Sequence, residues 1–360
     1  MRPYDLTNNY PVTAGQDSAL RAALAEVCRG AMPGSLWPAA GDAAHRRAIA
    51  GLLGEERELA LVSDGMAGMG LALSLAQAAA QTQTGRAGVA LEEFSFPLAR
   101  RVLALAPLHA LAMDGEGPLP AALEALMRQP DAPGVLYLMP RIHNPLGFSY
   151  SPARRAALAE IIRHHDLWVV EDAAYAFLDS GPGLAPLLPE RVLVAWSLAK
   201  PFSLALQLGA LGYPAALAEA VEEAILLRGL TGNPVMAAAL AHMAESGAAA
   251  ALIAEKRAEG LARRALAADI LGAPEGPAWH LWLPRPAGES ALAFQARWRA
   301  AGLLLPLPTD FHHTGAETPF FRLSLGGEPD RARLSEALTR LKAGSGGTLS
   351  PQRGPGGGAP

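Results

Sequence analysis

Seven short apolar runs between Leu59 and Pro214, spaced by amphipathic stretches, constrain this chain more than any other feature. They are LALVS (59–63), GVALEEF (88–94), HALAM (109–113), GVLYLMP (134–140), LWVVEDA (167–173), RVLVAWS (191–197) and LGALGYP (208–214). Each is continuous rather than alternating, as in strands covered on both faces. Helical patterns separate several of them. SPARRAALAEIIRHHD (151–166) opens on Ser151 as an N-cap, followed by Pro152 in the first turn. The reading is an α/β fold with a mostly parallel sheet of about seven strands and helices on both faces. A weaker helical signal between the last two runs allows one antiparallel strand.

From about Asn233 the character changes. An Ala-rich helical stretch runs to about Leu271. HLWLP (280–284), a helix near 288–301, LLLPLP (303–308) and FFRLSL (320–325) then suggest a smaller α+β domain. The expected division is an N-terminal segment (1–45) packing on the small domain, a large domain (46–235), the small domain (236–342) and a tail (343–360). The tail is rich in Gly and Pro and is expected to be disordered.

Composition narrows the function classes. The chain is 51% apolar and 18% charged, with a formal charge of −4. No basic surplus exists to neutralise phosphates, so nucleic-acid binding is not expected. A single cysteine, Cys28, excludes an intrachain disulfide and a Cys-based metal site. MRPYDLTNNYP lacks the basic and apolar pattern of a signal peptide. Every apolar run is broken before the ~18 residues a membrane span needs. A soluble, cytoplasmic protein is expected.

In open α/β sheets, ligands bind beyond the C-terminal ends of the strands. After the first run comes Asp64-Gly65-Met66-Ala67-Gly68, opening a helix whose free N–H groups can hold an anion. After the second come Ser95 and Phe96, and after the fourth Arg141-Ile142-His143-Asn144-Pro145-Leu146-Gly147. LWVVEDA ends in Asp172 with Tyr175 three residues on, and RVLVAWS ends in Ser197 with Lys200 three residues on. Singly these are ordinary: a turn, a helix cap, a loop lysine. Together they place an amide, a carboxylate, a phenol, a hydroxyl and an amine on one sheet edge. A pyridine-aldehyde cofactor needs that set.

At these motifs the chain resembles a fold-type I pyridoxal-phosphate enzyme of the class I/II aminotransferase family. It is similar to the 2-aminoadipate and kynurenine aminotransferase branch and to the aminotransferase-like domain of MocR-type regulators. The resemblance runs from about Leu6 to Lys342. It implies that Lys200 forms a Schiff base with pyridoxal 5′-phosphate and then moves the Cα proton of the substrate. It implies that Asp172 pairs with the pyridine nitrogen, and that Asn144 and Tyr175 hydrogen-bond the ring oxygen. Phe96 stands where the family stacks an aromatic on the ring. Ser197 and the amides of Met66 and Ala67 stand at the phosphate. Arg322 and Asn144 stand where the substrate α-carboxylate is held. The implied reaction is ping-pong transfer of an amino group between an amino acid and a 2-oxo acid, in a homodimer.

Three positions depart from the family pattern, all at the phosphate. Gln207, seven residues after Lys200, replaces the usual Arg. Met66 replaces a hydroxyl residue, and Trp37 stands near where a Tyr of the neighbouring subunit often reaches. Weaker phosphate binding follows unless Arg141 or Arg228 compensates. Asn8-Asn9-Tyr10 stand where the family lines the substrate pocket. Two alternatives stay open: another pyridoxal-phosphate reaction (lyase, racemase, decarboxylase or oxidase), or a cofactor-poor sensor related to MocR effector domains. A start so near Met1 leaves no room here for the DNA-binding module of those regulators.

Overall fold

The computed structural model describes residues 2–30, 37–102 and 107–345. Three elements precede the main sheet: β1 (Tyr4–Asp5), α1 (Gly15–Val27) and α2 (Ala43–Leu53). Then come β2 (Glu58–Val62), α3 (Gly65–Thr84), β3 (Val89–Glu92), α4 (Pro97–Val102), β4 (Leu108–Leu111) and a hairpin of β5 (Met113–Asp114) and β6 (Gly117–Pro118). α5 (Pro120–Met127), β7 (Val135–Leu138), α6 (Pro152–His164), β8 (Trp168–Asp172), β9 (Val192–Ser197) and β10 (Gly209–Tyr213) complete this part.

The main sheet has seven strands in the order β2-β10-β9-β8-β7-β3-β4. β10 runs antiparallel to both neighbours, and the other pairs are parallel. The seven apolar runs are these seven strands, and the antiparallel one is the last of them. Alternate residues face two cores. Leu59, Leu61, Leu136 and Leu138 join the core shared with α1, α2, α5, α6 and α8 (Pro234–Glu245). Ala60, Val62, Val135 and Tyr137 join the core under α3 and α7 (Ala218–Arg228). Both faces are covered, so the strands need no polar side.

The helix ends follow local chemistry. Asp42 caps α2 through the N–H groups of Ala44 and His45, and Gly54 ends it in the left-handed conformation. Ser151 caps α6 through Arg154 N–H with Pro152 in the first turn, as its sequence predicts. The Ala-rich stretch is two helices rather than one. α8 gives way to α9 (Ala248–Leu271) at Gly247, φ +80°, with the axes bent by 80°.

The second layer follows as β11 (His280–Pro284), α10 (Ala291–Ala300), β12 (Leu303–Leu304), β13 (Phe320–Ser324) and α11 (Arg331–Gly344). β11 pairs antiparallel with β13, and β1 pairs parallel with β12. Tyr4 and Leu6 therefore join this layer's core. α1 instead packs on α8, and its Leu20 and Ala23 join the core beneath the main sheet. α11 continues through Gly344, past the Ala343 expected to begin the tail. A Cβ on Gly344 would lie 2.7 Å from the Trp298 ring, so glycine lets the helix end close against that indole. Residues 346–360 lie outside the described residues. No single helix among the described residues is long and apolar enough to cross a membrane.

Two glycines bring α3 onto the sheet. A Cβ on Gly209 would sit 2.3 Å from the Asp64 carbonyl oxygen, and one on Gly65 would sit 2.6 Å from Ser197 Cβ. Both obstacles are backbone or Cβ atoms that cannot swing aside. Gly209→Ala should therefore cost about 2 kcal/mol or more in chemical denaturation. A loss under about 0.5 kcal/mol would show that the α3–β10 approach is not tight.

Candidate active site

Five of the parallel strands end at one cavity of about 320 Å³. β2 delivers Gly65 and Met66 at the start of α3. β3 delivers Phe96, β7 Asn144, β8 Asp172 and Tyr175, and β9 Ser197 and Lys200. β13 adds Arg322 from the second layer, and the N-terminal strip adds Thr7 to Tyr10. The strand pattern and the motifs thus converge on one place.

Asp172 is buried at the end of β8. One carboxylate oxygen accepts the Tyr137 hydroxyl at 2.5 Å and the other accepts Ala174 N–H at 2.9 Å. Burial raises its pKa, making it a weaker acid. The Tyr137 and Ala174 bonds and nearby Lys200 oppose that rise. Tyr175 is buried and donates its hydroxyl to Asn9 O at 2.7 Å. Burial pushes that phenol up. Asn144 is buried and accepts Arg322 Nη1 on its side-chain oxygen at 3.1 Å, leaving its amide donors for the cavity.

Lys200 lies over the Tyr10 ring, 3.4 Å from the centroid, with Nζ 3.5 Å from Asn9 O. Burial first, then the Arg322 guanidinium, lowers this amine to about 7, against the pull of Asp172. Arg322 is itself buried, with Nη2 donating to Thr7 O at 2.6 Å. Its Nε–H is buried with no partner within the protein. It forms no ion pair with a described carboxylate. A buried guanidinium at a cavity wall, with no carboxylate to neutralise it, is suited to receive an anion.

The residues expected at the phosphate fare differently. Ser197 and Met66 line the cavity, Met66 with an apolar side chain. Ala67 does not, and its N–H is taken by the Asp64 side chain at 2.8 Å. Gln207 is exposed, has φ +39°, and lies outside the cavity lining. Neither candidate for compensation is available. Arg141 pairs with Glu171 at 2.8 Å, and Arg228 donates to Ser74 at 2.9 Å from an exposed helix end. Trp37 packs against His45 of its own chain, ring centroids 5.9 Å apart.

A larger cavity of about 780 Å³ lies beside Phe177 and Trp196. Its arginines are already engaged. Arg57 pairs with Glu55, Arg141 with Glu171, and Arg257 donates to Phe177 O. It offers no converging reactive groups. Among the described residues no cluster of His, Cys, Asp or Glu could hold a metal ion.

Sequence reasoning misses three supporting residues. Tyr137 holds Asp172, and its signal was a hydroxyl inside a wholly buried strand. His280 is pushed down to about 3 by burial, then by Arg322, so its ring is neutral. The His143 carbonyl can only accept, so Nε2 carries the proton and Nδ1 accepts from the Asn9 amide at 3.0 Å. Lys256 is fully buried on α9 and donates to Lys200 O at 3.1 Å and Phe202 O at 3.3 Å. It stands in a buried stripe with Leu252, Gly260 and Arg263, the signal that marked it.

Burial lowers Lys256 to about 7 as well. Both lysines then hold fewer protons folded than unfolded between pH 7 and the ordinary lysine value of 10.5. Stability should rise with pH across that window, and the burial cost is constant below it. Lys256→Met should reduce the pH slope of the unfolding free energy by close to one proton, about 1.4 kcal/mol per pH unit. An unchanged slope would mean that Lys256 keeps its proton when buried.

The family model described as aminotransferase class I and II matches residues 6–341. Among curated proteins, the chain is 41% identical to aminotransferase swnA of Metarhizium robertsii over 101 residues, 26% of this chain and 20% of that protein. It is 30% identical to the uncharacterized HTH-type transcriptional regulator YdeF of Bacillus subtilis over 149 residues, 41% of this chain and 32% of that protein. The match thus spans less than a third of either relative's length. Among solved structures, a kynurenine aminotransferase of Pyrococcus horikoshii superposes with a TM-score of 0.84 at 18% identity, covering 97% of this chain and 91% of that one. The α-aminoadipate aminotransferase LysN of Thermus thermophilus gives 0.84 at 20% identity, covering 96% and 92%. At such identity the likeness establishes a shared fold.

Proposed function

Because the chain belongs to the class I and II aminotransferase family, we propose that it is a pyridoxal-phosphate-dependent aminotransferase, moving an amino group between an amino acid and a 2-oxo acid. The observation that carries this reading is the cavity itself. A half-buried lysine near neutrality, a buried carboxylate and a buried guanidinium with no carboxylate partner share it. Family membership also supports a homodimer.

The donor set fits the cofactor's ring and aldehyde. Asp172 would hold the ring nitrogen. The Asn144 amide and the Tyr175 hydroxyl would meet the ring oxygen, and Phe96 would cover a ring face. Gly65 leaves open the cradle beside Ser197 that a Cβ would fill. The Ser197 hydroxyl and the first N–H groups of α3 would meet the phosphate. When bound, the cofactor supplies an electron sink for the substrate's α-carbon.

The chain's own residues do the rest. Lys200 Nζ, lowered to about 7, would be the amine that meets the aldehyde and the base that moves the proton at the substrate α-carbon. Asp172, fixed on both oxygens, would keep a proton on the ring nitrogen. Arg322, buried at the cavity wall with no carboxylate partner, would orient the substrate by its α-carboxylate. The strip Thr7–Tyr10 roofs the cavity and excludes water from the amine.

Two measurements test this. The rate at which the apoprotein captures pyridoxal phosphate, followed by absorbance, should rise with pH through about 7, where Lys200 loses its proton, and then level off. A midpoint near the ordinary lysine value would contradict the burial argument. With loaded enzyme and an amino acid plus a 2-oxo acid, Lys200→Ala should stop amino-group transfer. Arg322→Gln should lower kcat/KM by about a hundredfold or more, through loss of charge-assisted bonds. Product without any need for a 2-oxo acid would point instead to another reaction on the same cofactor.

A further inference from the structure

The two ends of the proposed cofactor site are unequally furnished. Among the described residues lining the cavity, the only cations are Lys200 and Arg322, and these serve the amine and the substrate carboxylate. Among the described residues, the end where the phosphate would sit offers no cation, and an anion stands beside it. Asp64 is the N-cap of α3, and its carboxylate accepts Ala67 N–H at 2.8 Å. A negative charge thus already sits at the helix end that would attract a phosphate. Its field reaches the cavity. Burial raises the phenol of Tyr10, a cavity residue, and the Asp64 carboxylate raises it further. Met66 brings no hydroxyl, Gln207 faces solvent, and Arg141 and Arg228 are engaged elsewhere.

We propose that this site recognises its cofactor through the pyridine ring and the aldehyde, with little selection for the phosphate, so that it takes pyridoxal and pyridoxal phosphate with similar affinity. The proposal rests on the functional reading above. The Ser197 hydroxyl and the first α3 N–H groups attract the phosphate, and Asp64 opposes them. The ring contacts through Asp172, Asn144 and Tyr175 are the same for both forms.

The test is equilibrium titration of the apoprotein with pyridoxal and with pyridoxal phosphate, read by the absorbance of the bound aldehyde and by ultrafiltration. The lysine link is common to both ligands, so the affinity ratio isolates the phosphate. The wild type should bind the two within about tenfold of each other. Asp64→Asn keeps the N-cap and removes the charge. It should tighten pyridoxal phosphate by about tenfold, one charge-assisted contact's worth, and leave pyridoxal within about twofold. Thermal melting checks that the variant folds as the wild type does. Pyridoxal phosphate binding more than about a thousandfold tighter than pyridoxal, with Asp64→Asn changing neither, would overturn the proposal and show a phosphate cation supplied from elsewhere, such as a second copy of the chain. Binding of neither form would remove the cofactor reading itself, and this inference with it.

Discussion

A primary amine and a guanidinium share one buried cavity, and the rest of the site follows from that pairing. Two cations in a dry space repel, and burial penalises both. Arginine cannot shed its proton under ordinary conditions, so lysine yields. Lys200 falls to about 7 while Arg322 stays charged without a protein carboxylate to meet it. The cavity therefore holds a neutral nucleophile at one point and an unsatisfied cation at another. An α-amino acid, with an amine and a carboxylate on one carbon, is the natural complement. Asp172 tempers the repulsion and anchors the far side of the cavity.

That arrangement depends on how the chain closes over it. Parallel strands bring Asn144, Asp172 and Ser197 to one edge, since residues after each strand emerge on the same side. Gly65 and Gly209 allow α3 to approach close enough to complete that edge. The N-terminal strip then joins the two layers with its backbone. Thr7 O takes Arg322, and Asn9 O takes Tyr175 and stands beside Lys200. His280 holds the Asn9 side chain and the His143 carbonyl, so the strip and the Asn144 turn are fixed by one neutral ring. Lys256 supports the Lys200 loop from below through two carbonyls.

The sheet was legible because strands buried on both faces leave continuous apolar runs, and each of the seven runs became a strand. The one reversed strand was legible too, since too little chain with too weak a helical signal separates β9 from β10 for a crossover helix. The break between α8 and α9 was not, because Gly247 interrupts an Ala-rich stretch without disturbing its composition. In the site, Lys200, Asp172, Tyr175 and Asn144 were readable from their places after strands. Placement of Gln207 and Ala67 was not. Gln207 turns outward in a left-handed conformation, and the Ala67 amide is claimed by a cap that only coordinates reveal. Tyr137 and Lys256 act through other residues, and their roles emerge only when strand and helix are packed.

The chain has three lysines, Lys200, Lys256 and Lys342, and burial lowers the proton affinity of two, the half-buried Lys200 and the fully buried Lys256. The most direct measurement is to load the protein with pyridoxal phosphate, reduce it with borohydride and map the adduct by peptide mass spectrometry. An adduct on the Lys200 peptide alone, abolished in Lys200→Ala, is the predicted result. An adduct on Lys256, or none despite bound cofactor, would contradict the assignment of this cavity and its amine.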